Sequence, residues 1–371
     1  MGVALTIETI SAPHRQSLAA LQGLRGVAAL LVVADHTLLT GIRRLGLTQS
    51  AEPYAYLLGA LGVQTFFAIS GFVMVLSHGQ DFAKAGAPGY FATRRLCRIV
   101  PLYWVTTLIY WAKEQAQGHA VALHFLLLSL FFIPHQEPGM AFGRPVFPIG
   151  WTLIYEMAFY LVFTVALVFR RWIGAALIFA VFVSLCLFSA LTPRAHPVWH
   201  FLGSPIVLFF LAGMATGWLR RALATVPRWG FATAACGSAA LLLGAIPAMA
   251  WSLAADTPAA WIPIVPCLGA ILLCGLADER IDAAAPVPRI ARTLGDATYS
   301  IYLTHGFVVG GAATVLARLG LGFAAMAVLS APAAIVVGIL TYRRVERPLV
   351  RAASALMRRM FGASVAQPPR G

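Results

Sequence analysis

Charge is what this sequence has least of. Only 11% of its 371 residues are Asp, Glu, Lys or Arg, against about 25% in a soluble domain. With 60% of the residues hydrophobic, a single water-soluble core cannot hide the apolar surface, so a soluble globule is excluded. Acidic residues are the scarcer sign, 13 against 27 basic ones, and the net charge is +14. No polar stretch is long enough to form a domain that could present this basicity to nucleic acid, so nucleic acid is not an expected partner. Cysteine is sparse as well. Cys97, Cys186, Cys236, Cys267 and Cys274 are odd in number, scattered and without metal spacing, and read as small buried hydrophobes. His119, His135, His196 and His200 share no ligand spacing, so no metal is expected.

What is present is a succession of apolar segments, near 17–41, 54–77, 99–116, 121–133, 148–169, 172–191, 200–219, 229–250, 260–276, 296–317 and 322–342. A hydrocarbon core of ~30 Å takes about 20 apolar residues per helix, and 121–133 is too short for that. The basic residues decide its status. With the N-terminus in the cytoplasm and 121–133 not crossing, twenty Lys and Arg fall on cytoplasmic loops and tails, six fall outside, and Arg25 lies within a helix. That is the positive-inside distribution, and it collapses if 121–133 spans. The expected fold is an all-α polytopic membrane protein of about ten transmembrane helices with one short re-entrant or interfacial segment. Both termini are expected in the cytoplasm. Residues 1–16 form a cytoplasmic tail, 17–350 the transmembrane domain and 351–371 a basic cytoplasmic tail, with 357–371 expected to be mobile.

The first span contains "GLRGVAALLVVADH" (23–36), with three ionisable residues where lipid makes charge expensive. Arg25 and His36 are eleven residues apart, close to three helical turns, so they share one face ~16 Å apart. Asp35 is expected to point about 100° away from His36. Arg25 can snorkel to headgroups and His36 can bond a neighbouring helix. Two ionisable groups on one face instead favour a polar interior path. Counted from the outer surface, His36 lies ~8 Å deep and Glu156 ~12 Å deep, which predicts that the two share a site. Arg95 and Arg98 share a face at the cytoplasmic start of the third span. Trp151 and Tyr155 suit a sugar face or an interfacial aromatic belt. Ser70 and Gly71 suit close helix packing, and Ser300 an interhelical hydrogen bond. Tyr302 and His305 fall near mid-membrane, where His305 is a core histidine or a substrate contact.

Six stretches in order resemble the motifs of the membrane-bound acyltransferase-3 family: "GLRG" followed by His36, "GVQTFFAISGFVM" (62–74), "RRLCRIVPLYW" (94–104), "WTLIYEMAFY" (151–160), "LGDATYSIYLTH" (294–305) and "VERP" (345–348). The resemblance covers nearly the whole chain. Two positions depart from the family pattern: Met157 follows Glu156 where a second glutamate is usual, and Tyr155 replaces a small aliphatic residue. "WTLIYE" is similar to the subgroup associated with acetylation of bacterial exopolysaccharides.

The resemblance implies a multi-pass enzyme of the cell inner membrane. It transfers an acetyl group from cytoplasmic acetyl-CoA, a co-substrate, to a hydroxyl of a cell-surface or exported carbohydrate, either an exopolysaccharide or a lipid-linked glycan. Expected partners are the carbohydrate acceptor, acyl-CoA, membrane lipid and polysaccharide assembly machinery. Arg25, Arg95 and Arg98 are expected to bind the donor, since the planar guanidinium suits phosphate. His36 is expected to act as general base, or to carry the acyl group covalently, and Glu156 to orient it or hold the sugar. Trp151, Tyr155, Tyr302 and His305 are expected on the acceptor side. A transporter or flippase is the alternative from another class, although no inverted repeat is apparent. Acylation of a small secondary metabolite is the alternative within the enzyme class.

Overall fold

The computed structural model describes residues 19–137, 139, 141–192, 196–223, 230–254, 264–276 and 286–361. The tail 1–16, and Arg15, Arg194, Arg228, Arg280 and Arg370 from the charge distribution, lie outside these residues. Every regular element described is helical: α1 (Ala19–Arg44), α2 (Glu52–His78), α3 (Ala87–Ala116), α4 (Leu123–Leu130), α5 (Trp151–Ala166), α6 (Arg171–Leu191), α7 (Pro197–Leu202), α8 (Leu208–Ala222), α9 (Phe231–Ala254), α10 (Ile264–Gly275), α11 (Pro286–Arg318), α12 (Phe323–Thr341) and α13 (Arg347–Phe361). A chain in lipid must satisfy its backbone polar groups internally, which helices do. Among the described residues, seven helical segments are long and apolar enough to cross a membrane, as befits a multi-pass protein. α3 falls outside that number because Arg94, Arg95 and Arg98 charge one end and Lys113 and Glu114 the other. The apolar runs of α9 and α10, Phe231–Pro247 and Val265–Gly275, are shorter.

α1 packs against both α2 and α11, α2 packs on α8, and α11 packs on α12. Apart from its terminal arginines, the only exposed residue of α1 is Val27. Val27 lies about 200° round the helix from Arg25 and about 180° from His36. The Arg25–His36 face is therefore turned inward. Where α2 crosses α8, a Cβ on Gly71 would run into the Phe210 carbonyl, so only glycine permits this approach.

Three expectations about element boundaries are corrected. The segment 200–219 is broken: α7 and α8 are separated at Gly203–Ser204, and a 3₁₀ turn, Pro205–Val207, leads into α8. α11 begins at Pro286 rather than near 296. Of the stretch 357–371 expected to be mobile, 357–361 complete a helix. α12 runs through a π-type turn, Tyr342–Glu346, into α13, which packs on α3 through contacts such as Ser354 with Cys97.

The short segment explains the shape of the site. α4 has eight residues, ~12 Å of rise, far less than a bilayer core. It folds back along α3. Trp111 Nε1 donates to the Val121 carbonyl at 3.1 Å, Trp104 Nε1 to that of Leu130 at 2.9 Å, and the Tyr103 hydroxyl to that of Ser129 at 3.1 Å. The return strand of the loop is held at the same level, since the Val146 amide donates to Ser129 Oγ at 2.9 Å. A Cβ on Gly150 would stand 2.7 Å from the Tyr103 ring. α5 thus begins beside Tyr103, well inside the bundle, and not at the outer surface.

Candidate active site

From the shared level of Tyr103 and Gly150, five residues back along α3 lead to Arg98 and six forward along α5 lead to Glu156. The corresponding rises are ~8 Å and ~9 Å. Glu156 and the arginines therefore meet. A cavity of about 140 Å³ opens between α1, α2, α3, α5 and α11, and its charged lining is Arg25, Arg95, Arg98 and Glu156. Three guanidinium groups face one carboxylate.

Each cation is held from behind. Arg25 Nη1 donates to Gln22 Oε1 at 3.0 Å, and Gln22 Nε2 reaches Asp296 of α11 at 3.5 Å. Arg95 lies 5.4 Å over the Phe91 ring and 5.2 Å over Tyr160. Its Nε is buried without a hydrogen-bond partner. The Glu156 carboxylate accepts a hydrogen bond from Tyr160, whose hydroxyl also stands 3.4 Å from Ser70 Oγ. A second carboxylate comes from the π-type turn. Glu346 is 3% exposed, accepts from Ser300 Oγ at 2.6 Å, and attracts Arg98 and Arg25. The orphaned Arg95 donor and the excess of cations fit an anionic group such as phosphate.

Tyr302 marks the far wall of this cavity. Its hydroxyl is 2.8 Å from Thr152 Oγ1 at the start of α5, and its ring meets Phe66 of α2 edge-on at 5.9 Å. One turn along α11, His305 is fully buried, and its Nδ1 donates to the Tyr302 carbonyl at 2.5 Å. The ring of His36 stands edge-on to His305 with centroids 4.6 Å apart. The line from the arginines through Tyr302 and His305 to His36 is continuous.

Two expectations fail here. Glu156 does not share a layer with His36, because α5 starts deep and carries Glu156 to the arginines. Asp35 does not point away from His36: its Oδ2 is 3.0 Å from His36 Nδ1. A nominal 100° offset is closed by the reach of two side chains that bend toward each other. Of the aromatic residues predicted on the acceptor side, only Tyr302 lines the cavity. Tyr155 donates its hydroxyl to the Phe201 carbonyl at 2.6 Å and stacks on the Phe201 ring at 4.4 Å, with Trp151 edge-on behind it at 5.9 Å. Both make these contacts outside the lining of this cavity. Sequence reasoning missed Glu346 and Thr152. "VERP" was visible, but nothing in the linear order joins Glu346 to Ser300.

A multi-pass helical membrane protein thus carries a cationic chamber at one end of an inward helix face and an imidazole at the other. Residues 18–343 match the acyltransferase-3 acyltransferase domain, and the chain belongs to that family of O-acyltransferases. Among curated relatives, it is 30% identical to the "Exopolysaccharide production protein ExoZ" of Rhizobium meliloti (strain 1021) over 301 residues, 80% of this chain and 91% of that one. It is 29% identical to the "Acyltransferase MdmB" of Streptomyces mycarofaciens over 380 residues, covering 91% and 93%. A shorter likeness, 30% over 156 residues, is to "Protein 2 in picA locus" of Rhizobium radiobacter, covering 38% and 70%. No solved structure matches.

Proposed function

We propose that this protein is an O-acetyltransferase of the bacterial inner membrane. It takes acetyl from cytoplasmic acetyl-CoA and passes it to a hydroxyl of a cell-surface or exported carbohydrate, an exopolysaccharide or lipid-linked glycan. The observation that carries this reading is the inward face of α1, with Arg25 in the cationic cavity and His36 ~16 Å further along. The name of the Rhizobium meliloti relative favours an exopolysaccharide acceptor. The proposed topology keeps ten spans and both ends in the cytoplasm, with one transmembrane acyltransferase domain over 17–350.

In this reading Arg25, Arg95 and Arg98 hold the phosphates of the donor, and Glu156 and Glu346 keep those guanidinium groups in place while the site is empty. The pantetheine arm runs along α1 past Tyr302. His36 takes the proton of the acceptor hydroxyl as its oxygen attacks the thioester carbonyl. The C–S bond of the tetrahedral intermediate then breaks, and the proton on the imidazole passes to the departing sulfur. Tyr302 and Thr152 supply hydroxyls near the path, where developing negative charge on the carbonyl oxygen needs donors. His305 shapes the wall behind the base.

The test is transfer of radiolabelled acetyl from acetyl-CoA by the purified protein, with mass spectrometry of the glycan from cells carrying wild type or His36→Ala. Acetyl on the glycan in wild type and none in His36→Ala is expected. Unchanged acetylation in His36→Ala eliminates the base. Movement of intact glycan across proteoliposomes without label transfer makes the protein a carrier.

A further inference from the structure

Asp35 is the only acidic residue of α1, and nothing in the reaction described so far uses it. A carboxylate in a membrane helix is costly and marks function or pairing. Asp35 is 7% exposed. Its Oδ2 lies 3.0 Å from His36 Nδ1, while its Oδ1 is buried with no hydrogen-bond partner among the described residues. The same oxygen rests on α2 at Gly59, where a Cβ would stand 2.7 Å from Oδ2 and 2.8 Å from the carboxyl carbon. α2 offers a glycine at the one place where the carboxylate needs room.

His36 Nδ1 also lies 3.0 Å from the Val32 carbonyl oxygen. A carbonyl can only accept, so the ring proton sits on Nδ1 and is donated to Val32, with the Asp35 carboxylate beside the same nitrogen. That places the lone pair on Nε2. The imidazole side chain is 37% exposed, so an acceptor can reach it. His305 closes the other side edge-on at 4.6 Å.

We propose that Asp35 is the positioning residue of the acyl-transfer base: it holds His36 in the Nδ1–H tautomer with Nε2 presented, and its negative charge stabilises the imidazolium that forms when the acceptor proton is taken up. The arrangement follows the logic of an aspartate behind a catalytic histidine, in which the carboxylate orients and stabilises the ring without itself accepting the proton. It gives the orienting role to Asp35, the residue adjacent to the base, and leaves Glu156 with the arginines. This inference rests on the reading of His36 as the base.

The experiment compares Asp35→Asn, Asp35→Ala, Gly59→Ala and His36→Ala in the purified full-length protein with radiolabelled acetyl-CoA. Asp35→Asn keeps the shape but loses the charge, and its melting temperature establishes that it is folded before rates are compared. Expected is a fall in kcat on the order of 10²–10⁴-fold, with the KM for acetyl-CoA within about twofold, because the donor cations lie at the other end of α1. Gly59→Ala, which crowds the carboxylate from α2, is expected to lower kcat in the same direction with KM unchanged. Added formate is expected to restore part of the activity of Asp35→Ala. In the His36→Ala background Asp35→Asn is expected to cost nothing further, since the two act as one unit. Wild-type kcat in Asp35→Asn and in Gly59→Ala, with His36→Ala inactive, overturns this inference alone. Equal loss in kcat and donor affinity without formate rescue makes Asp35 a packing residue and also overturns it. Full activity in His36→Ala removes the underlying reading instead.

Discussion

The hydroxyls of Tyr302 on α11 and Thr152 on α5 stand 2.8 Å apart, and this contact joins the cationic cavity to the histidine pair. Tyr302 lines the cavity on one side and leads to His305, one turn along its own helix, on the other. The contact exists because Val146 and Gly150, held against Ser129 and Tyr103, start α5 inside the bundle.

Tyr302→Phe is expected to lower kcat by about tenfold, the worth of one hydrogen bond removed beside the reacting carbonyl. Thr152 retains only its longer contact, 3.4 Å, to the Ile149 carbonyl. Steady-state rates at saturating donor read this. A wild-type kcat assigns Tyr302 to packing.

Arg95→Lys is expected to raise the KM for acetyl-CoA by about 10- to 100-fold with a smaller change in kcat. A lysine keeps the charge but loses the fork and the stacking on Phe91 and Tyr160. Initial rates over a donor series check this. Raised salt should weaken the variant further.

Glu156→Gln leaves three arginines in one cavity without the carboxylate among its lining residues. Breaking such a compensated cluster costs on the order of 3 kcal/mol. The melting temperature of the purified variant is expected to fall. Acetyl-CoA is expected to restore more of it than in wild type, since donor phosphates replace the lost charge. Equal ligand-induced shifts in the two proteins would separate Glu156 from the donor site.

Ser300→Ala removes the 2.6 Å donor to the buried Glu346 carboxylate. Leaving that acceptor unpaired costs roughly 1–3 kcal/mol. Thermal unfolding in detergent is expected to shift down. Because Glu346 faces the charge of Arg98 and Arg25, donor KM is expected to rise as well.

The helical segments and the one-face relation of Arg25 and His36 were legible along the chain. Hydropathy against a slab of fixed thickness and a helix of about 3.6 residues per turn are local properties, and both can be read one residue after another. The motif residues Arg95, Arg98 and Glu156 were visible through the family resemblance of the stretches that carry them. Their partners were not. Glu156 joined the arginines because hydrogen bonds from Tyr103, Trp104 and Trp111 hold α4 and the returning loop deep along α3. Glu346 reached Ser300 through a π-type turn, and Asp35 reached His36 against a glycine on another helix. Depth and rotation of one helix relative to its neighbours depend on contacts between residues far apart in the chain. Hydropathy and helical period carry no term for those contacts, so the pairing of base and carboxylate belongs to the packed bundle.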